Sequence, residues 1–225
     1  LMAGNSNCTW HWSSKPGDRK PGVPWCGFFF PNLTPVNITE AAALRRYAGL
    51  PDNAILLNGF DSIDALPQSA VPPDAGFMIF TNGKLGELRH EGEREEHIVF
   101  DALIEKSAYV VQVFFRLDNP GAKTGMEFVC DKNNKAFLSV ICSVNNVQLT
   151  LEENKILSLS KEIHAGEMHS LKIAFTAEGI VKVFVDDLCN PAFEITAEPA
   201  LAVKIALIAA GKAAFDDLGA VYCDK

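Results

Sequence analysis

The chain has 225 residues, 48% of them apolar and 21% charged, enough for one large all-β domain or two small ones, and the single domain is the simpler reading. A net charge of -8, with no cluster of Lys and Arg to displace counterions from phosphates, excludes nucleic acid and an anionic membrane surface as partners. No apolar run reaches the roughly eighteen residues of a spanning helix, so no membrane insertion is expected.

Residues 1–52 differ in composition from the remainder of the chain. The stretch "CTWHWSSKPGDRKPGVPWCGFFFPNLTP" holds all three tryptophans and a proline every few residues, which forbids long regular structure. It reads as a loop-rich extension stapled by Cys8 and Cys26. In an extended segment Trp10 and Trp12 share a face, and with Trp25 they form a candidate sugar platform, since flat indole rings stack on the apolar faces of pyranose rings. The alternative is that these rings pack inward as apolar cover. One short helix comes next: Thr39 caps "EAAALRRYA", Glu40 suits the positive end of the dipole, Gly49 supplies a left-handed cap and Pro51 stops continuation. Six cysteines and the sequons at Asn7, Asn32 and Asn37 point to a secreted or cell-surface glycoprotein with disulfides.

From residue 53 to 225 short apolar stretches alternate with turn residues, the pattern of a sandwich or barrel. Strands are expected at 54–58, 76–80, 84–89, 96–103, 108–117, 124–130, 136–143, 146–151, 155–160, 168–176, 179–186, 192–196, 201–209 and 213–223. In "AYVVQVFFRL" the residues Tyr109, Val111, Val113, Phe115 and Leu117 share one face, while the other is only half polar and needs a cover, for which the N-terminal segment is the nearest candidate. "ELRHEGEREEHIVF" concentrates Arg, His and carboxylates and reads as a solvated turn between two strands. Asp186 and Asp187 read as turn formers. Across a hairpin at "DKNNK", Cys130 and Cys142 stand about 20 Å apart, too far to bond, and both belong to the face of Met126, Phe128, Leu138 and Val140 as buried thiols. Cys189 and Cys223 are the second expected bridge. In a regular terminal strand "FDDLGAVYC", Phe215, Asp217, Gly219 and Val221 share one face and a solvated Asp216 joins Leu218, Ala220 and Tyr222 on the other.

"VQLTLEENKILSLSKEIHAGEMHSLKIAFTAEGIVKVFVDD" resembles the meander of laminin G-like domains in the concanavalin A-like lectin and glucanase superfamily. Gly166, His169, Leu171, Ile173 and Phe175 fit the family pattern, Met168 replaces its usual Trp, and Asp187 stands where Gly is usual. "GFDSIDALP", "FMIFTNGKL" and "FDDLGAVYC" look like the opening and closing strands of secreted members, so the resemblance covers residues 55 to 223. It implies an all-β, concanavalin A-like jelly-roll sandwich of two antiparallel sheets. In members with a structural calcium the closing-strand Asp, here Asp217, joins oxygens of the opening segment near Asn58, Asp61 or Asp64, so Asp217 and Asp61 are candidate ligands; the alternative is that Asp217 accepts backbone N–H bonds. The glucanase motif Glu-x-Asp-x-x-Glu has no counterpart, nor have the lyase motifs Arg-x-Glu-x-Arg and Gln-x-His. Three functions remain open: a non-catalytic carbohydrate-binding or adhesion module for a cell-surface glycan, a glycan-active hydrolase or lyase, and a structural domain whose partner is another protein.

Overall fold

A computed structural model describes residues 54–60, 76–82, 85–130, 135–151, 155–187, 189–197 and 203–223. Its strands fall within two residues of the expected bounds, because a half-buried strand declares itself through alternation of its own side chains. They are β1 (Ala54–Asn58), β2 (Phe77–Asn82), β3 (Leu85–His90), β4 (Glu96–Ile104), β5 (Tyr109–Leu117), β6 (Lys123–Cys130), β7 (Lys135–Ser143), β8 (Asn146–Leu151), β9 (Lys155–Ser160), β10 (Met168–Phe175), β11 (Ile180–Val185), β12 (Phe193–Thr196), β13 (Val203–Ala210) and β14 (Ala213–Tyr222). The expected helix, Cys8 and Cys26, the three tryptophans and Asp61 lie outside the described residues.

Two antiparallel sheets form. One runs β12-β11-β10-β5-β14-β3-β2, with β1 also paired to β14, and the other runs β4-β13-β6-β7-β8-β9. The chain is all-β, a sandwich whose inward positions interdigitate in one core. Tyr109 stacks on Phe175 at 4.3 Å, and Phe128 meets Phe175 edge-on at 4.9 Å. Each ring buried in this way contributes about 1.5–3 kcal/mol through area removed from water. The Tyr109 hydroxyl lies inside without a hydrogen-bond partner among the described residues, and burial pushes its pKa up.

Two bulges overturn the expected alternation. Phe128 pairs with Leu138 and Val129 with Ala136, so Phe137 is an extra residue, and both Phe137 and Leu138 enter the core. In β14, Asp216 pairs with Phe114 and Gly219 with Gln112, which leaves Asp217 and Leu218 opposite Val113 alone. Asp217 takes φ 49°, a left-handed conformation that aspartate tolerates better than a bulky residue. Phe215 therefore shares the core with Leu218 and Ala220, not with Val221. Asp216 is 7% exposed, not solvated, and Asp217 is 2% exposed.

Among the described residues Cys130, Cys142, Cys189 and Cys223 form no disulfide with one another. The first two stand apart as expected, since Cys142 pairs with Thr124 while Cys130 pairs with Lys135 at the far end of the hairpin, but only Cys142 is buried and Cys130 is half-buried. The expected bridge of Cys189 to Cys223 is not made. Cys189 lies past the end of β11, where Val185 aligns through Leu171 with Val113, whereas Cys223 hydrogen-bonds Ala108 at the opposite end of β5. Three strand spacings of about 4.8 Å and at least four residues at about 3.3 Å separate them, far beyond the reach of a disulfide.

Candidate functional site

The outward face of the eight-stranded sheet is closed by its own charges. Arg116 on β5 and Arg89 on β3 both flank Ala214 of β14, whose methyl group leaves room for longer side chains to meet above it. Arg116 gives Nη1 and Nη2 to Glu87 at 3.0 and 3.2 Å and is also held by Asp118. Glu87 accepts Arg89 at 2.5 Å, and the Arg89 guanidinium lies 3.6 Å from the ring centre of Phe80. The paired carboxylates hold the Arg116 pKa above its ordinary value against the opposing effect of burial. Every donor fork here already has an acceptor inside the molecule, which suits stability better than recognition. Beside them Gln112 and Phe114 are buried although they face away from the core, so the second face of β5 is covered, as its half-apolar composition requires.

The segment from Glu87 to His97 divides. Glu91, Glu93, Arg94 and Glu95 form the expected solvated turn, but His90 is fully buried. Its Nδ1 donates to the Gly211 carbonyl at 2.7 Å and its Nε2 stands 3.1 Å from Glu96 Oε2, which also accepts the Gly76 amide at 2.5 Å. This clasp joins β3, the start of β4 and the β13–β14 turn.

His169, the histidine of the family pattern, is buried and donates from Nδ1 to Asp186 Oδ2 at 2.7 Å, while Asp186 Oδ1 accepts the Ser170 amide. Burial lowers the imidazole pKa, but the Asp186 hydrogen bond and charge outweigh it and hold it above the ordinary value. The other ring nitrogen, Nε2, faces the His164 carbonyl at 3.1 Å, so both nitrogens of His169 are engaged inside the molecule. Cys142 feels the Asp186 charge but is fully buried, and desolvation drives its thiol far up, away from the reactive thiolate. The dyad therefore pins β10 to the turn after β11. Gly166, at φ 85°, turns the chain into β10, which is the physical content of the glycine in the pattern. Asp187 is the expected turn former: it accepts the Cys189 and Asn190 amides at 2.8 and 2.9 Å, which holds its carboxyl down at about 2.

The outward face of the six-stranded sheet is different. On β7, β8 and β9 it presents Ser139, Ile141, Ser143, Asn146, Gln148, Thr150, Ile156, Ser158 and Ser160, none of them charged, with Ile156 60% exposed. Glu127, Ser139, Thr150 and Ile156 form one cross-strand row over β6, β7, β8 and β9. Glu127 leans over the small Ala206 to accept His97 Nδ1 at 2.8 Å, and that bond is the main reason the His97 pKa lies above its ordinary value. Ser139 is 8% exposed and its hydroxyl has no partner among the described residues. A Cβ at Gly125 would stand 1.9 Å from the Val140 carbonyl oxygen, so only glycine lets β6 and β7 approach here. Single-residue signals did not point to this surface, because Ser, Thr and Asn on alternate strand positions look like any solvated face. The register alone collects them.

Among the described residues no group of three or more His, Cys, Asp or Glu could hold a metal. Asp217 is described, and its expected partner Asp61 lies outside the described residues.

No family model and no curated protein matches the chain. Solved structures do. A protein of unknown function with a galectin-like fold from Bacillus subtilis aligns with TM-score 0.56 at 12% identity, over 77% of this chain and 97% of that one. Rv0315 of Mycobacterium tuberculosis, an immunostimulatory antigen and pseudo β-1,3-glucanase, aligns with TM-score 0.55 at 10% identity, over 76% and 100%. The exoplasmic/lumenal domain of VIP36, solved with Ca2+ and Man3GlcNAc, aligns with TM-score 0.50 at 11% identity, over 68% and 84%. At such identities the likeness establishes the fold alone, a galectin-like β-sandwich.

Proposed function

We propose that the protein is an extracellular, non-catalytic module that binds carbohydrate on the outward face of the six-stranded sheet. The observation that carries this reading is the contiguous, uncharged, hydrogen-bonding surface of β7 to β9. Sugars are recognised through hydroxyl groups, which pair with neutral hydroxyl and amide side chains held on rigid strands, and through apolar ring faces, which Ile156 meets. The VIP36 domain, solved with Man3GlcNAc, supports the same reading, and so does the absence of the Glu-x-Asp-x-x-Glu motif from this chain. The laminin G-like pattern around Gly166 and His169 supports a place in that branch of the fold, and the sequons with six cysteines support secretion. Trp10, Trp12 and Trp25 would add stacking surface, and the Cys8–Cys26 staple would order them.

A glycan array read together with hydrolysis of the same glycans tests the reading. Binding without turnover is expected; turnover would establish an enzyme, and silence in both would leave a structural domain. A structural calcium held by Asp217 and Asp61 belongs to the same reading. Asn58 pairs with Leu218, next to Asp217, which supports an oxygen-lined site at that end of β1. A thermal midpoint that falls on chelation in the parent chain and not in Asp217→Asn is expected. An unchanged parent midpoint removes the ion.

A further inference from the structure

The outward face of the eight-stranded sheet is buried at its middle. Phe114 is 3% exposed, and Gln112, Val221 and Asp216 are buried with it, yet all four turn away from the core between the sheets. Their described neighbours do not supply the cover. Ser170 and Asp216 flank Phe114 and are too small to roof a phenyl ring, and Gly219 beside Gln112 leaves a trough. The longer side chains reach elsewhere: Arg116 crosses Ala214 to Glu87, and the Lys172 ammonium lies 4.0 Å over the Phe184 ring. Burial also holds the Lys172 pKa below its ordinary value, as in a place shielded from water. Phe114 is buried within one chain, so the cover belongs to this chain and needs no second copy.

We infer that residues 40–48 form a helix that docks in this trough as a third layer on the sandwich, leaving the six-stranded sheet as the open face. The stretch "EAAALRRYA" places Ala41, Leu44 and Ala48 on one helical stripe, with Arg45 at its border. Nine residues at about 1.5 Å each make a helix about 13 Å long, the distance β5 covers from Val110 to Phe114 at about 3.3 Å per residue. Residues 49–53 connect it to β1, with Gly49 and Pro51 as turn formers, an ordinary length for a helix-to-strand loop. β1 opens at Ala54 against Val221, whose other neighbour is Val110, so a chain doubling back from β1 arrives at one end of the trough. Running antiparallel to β1, the helix ends over Val221 and begins toward Asp216, which turns the positive end of its dipole to a buried carboxylate. Residues 1–53 hold five Lys and Arg against three Asp and Glu in a chain of net charge -8, so this segment and the acidic sandwich attract. Residues 61–75 are the poorer cover, because Phe60, which leads into them, packs on Phe100 of the other sheet on the core side.

The test uses the full chain and does not depend on glycan binding. Trypsin is expected to cut after Arg45 and Arg46 at least about tenfold more slowly than in a free peptide of residues 36–53, because a docked helix must open before it is cleaved. Leu44→Lys, on the stripe, is expected to abolish that protection, and Ala43→Lys, on the opposite side of the helix, to leave it intact. In denaturant unfolding, Leu44→Ala and Phe114→Ala combined are expected to change the unfolding constant by a factor at least about threefold away from the product of the single effects, the mark of side chains in contact. Phe114→Leu takes the place of Phe114→Ala should the latter not fold. Cleavage at the rate of the free peptide, single effects that multiply to within that factor, loss of protection in Ala43→Lys, or protection that grows with protein concentration and so comes from a second copy, would overturn the assignment.

Discussion

The two outward faces of this sandwich solve the same geometric problem with opposite results. On each, an alanine in a middle strand lets charged side chains from strands two apart meet: Ala214 under Arg116 and Glu87, Ala206 under His97 and Glu127. On the eight-stranded sheet the network closes on itself, with Asp118 and Arg89 completing it. On the six-stranded sheet it stops at the single bond of His97 to Glu127, next to a field of neutral polar groups. A closed network stabilises; an open one has bonds left to give to a ligand.

The largest expected effect tests the closed face. Arg116→Ala removes the bidentate partner of Glu87 and leaves that buried carboxylate with Arg89 alone, so denaturant unfolding should lose about 3 kcal/mol, toward the low end for breaking a buried pair because Asp118 is partly exposed. A loss below about 1 kcal/mol would make this network an ordinary surface feature. The matching change on the open face, Glu127→Gln, should stay within about 0.5 kcal/mol of the parent in stability.

Between these lies a pair that should move stability the other way. Ser139→Ala and Tyr109→Phe each delete a buried hydroxyl without a partner, and each is expected to raise stability by about 1 kcal/mol. Ser139 lies under the outward face of one sheet and Tyr109 between the two sheets, so the pair tests the same cost in two layers. If Ser139→Ala instead destabilises, the hydroxyl has a structural partner and the two faces differ less than their hydrogen bonding implies.

The smallest expected effect is in pH dependence. His169 and His97 both have pKa values raised above 6.5 by a carboxylate partner. A group whose folded pKa is raised contributes stability that is complete below its unfolded value and is lost as pH rises through the folded one. Stability should therefore decline as pH rises from just below 6.5 through the raised values, and Asp186→Asn should flatten most of that decline, because His169 is buried and His97 is 40% exposed and screened. A profile unchanged by Asp186→Asn would show that the dyad does not carry the linkage.

Much of the fold was legible in the chain. The alternation of Tyr109 to Leu117, the turn chemistry of Asp187 and the separation of Cys130 from Cys142 are local, set by side-chain period and turn residues within a dozen positions. The candidate surface was not legible to the same degree. The aromatics of the N-terminal segment and the paired aspartates of the last strand are conspicuous in the sequence, whereas Ser139, Thr150 and Glu127 sit on strands that read as plain amphipathic sandwich.

What the sequence determined by itself was the set of strands, the all-β class and which side of most strands turns inward, because steric alternation and hydrophobic period act along the chain. What the tertiary structure decided was everything that depends on neighbours distant in sequence. The bulge at Asp217 exists because β14 must serve β5, β3 and β1 at once, and it reverses the parity of the residues beyond it. Cys189 and Cys223 fall at opposite ends of one sheet because β10 and β5 lie between their strands. Glu127 meets His97, and Arg116 meets Glu87, only where a small alanine happens to stand between them, a coincidence of register across three strands that no local pattern encodes.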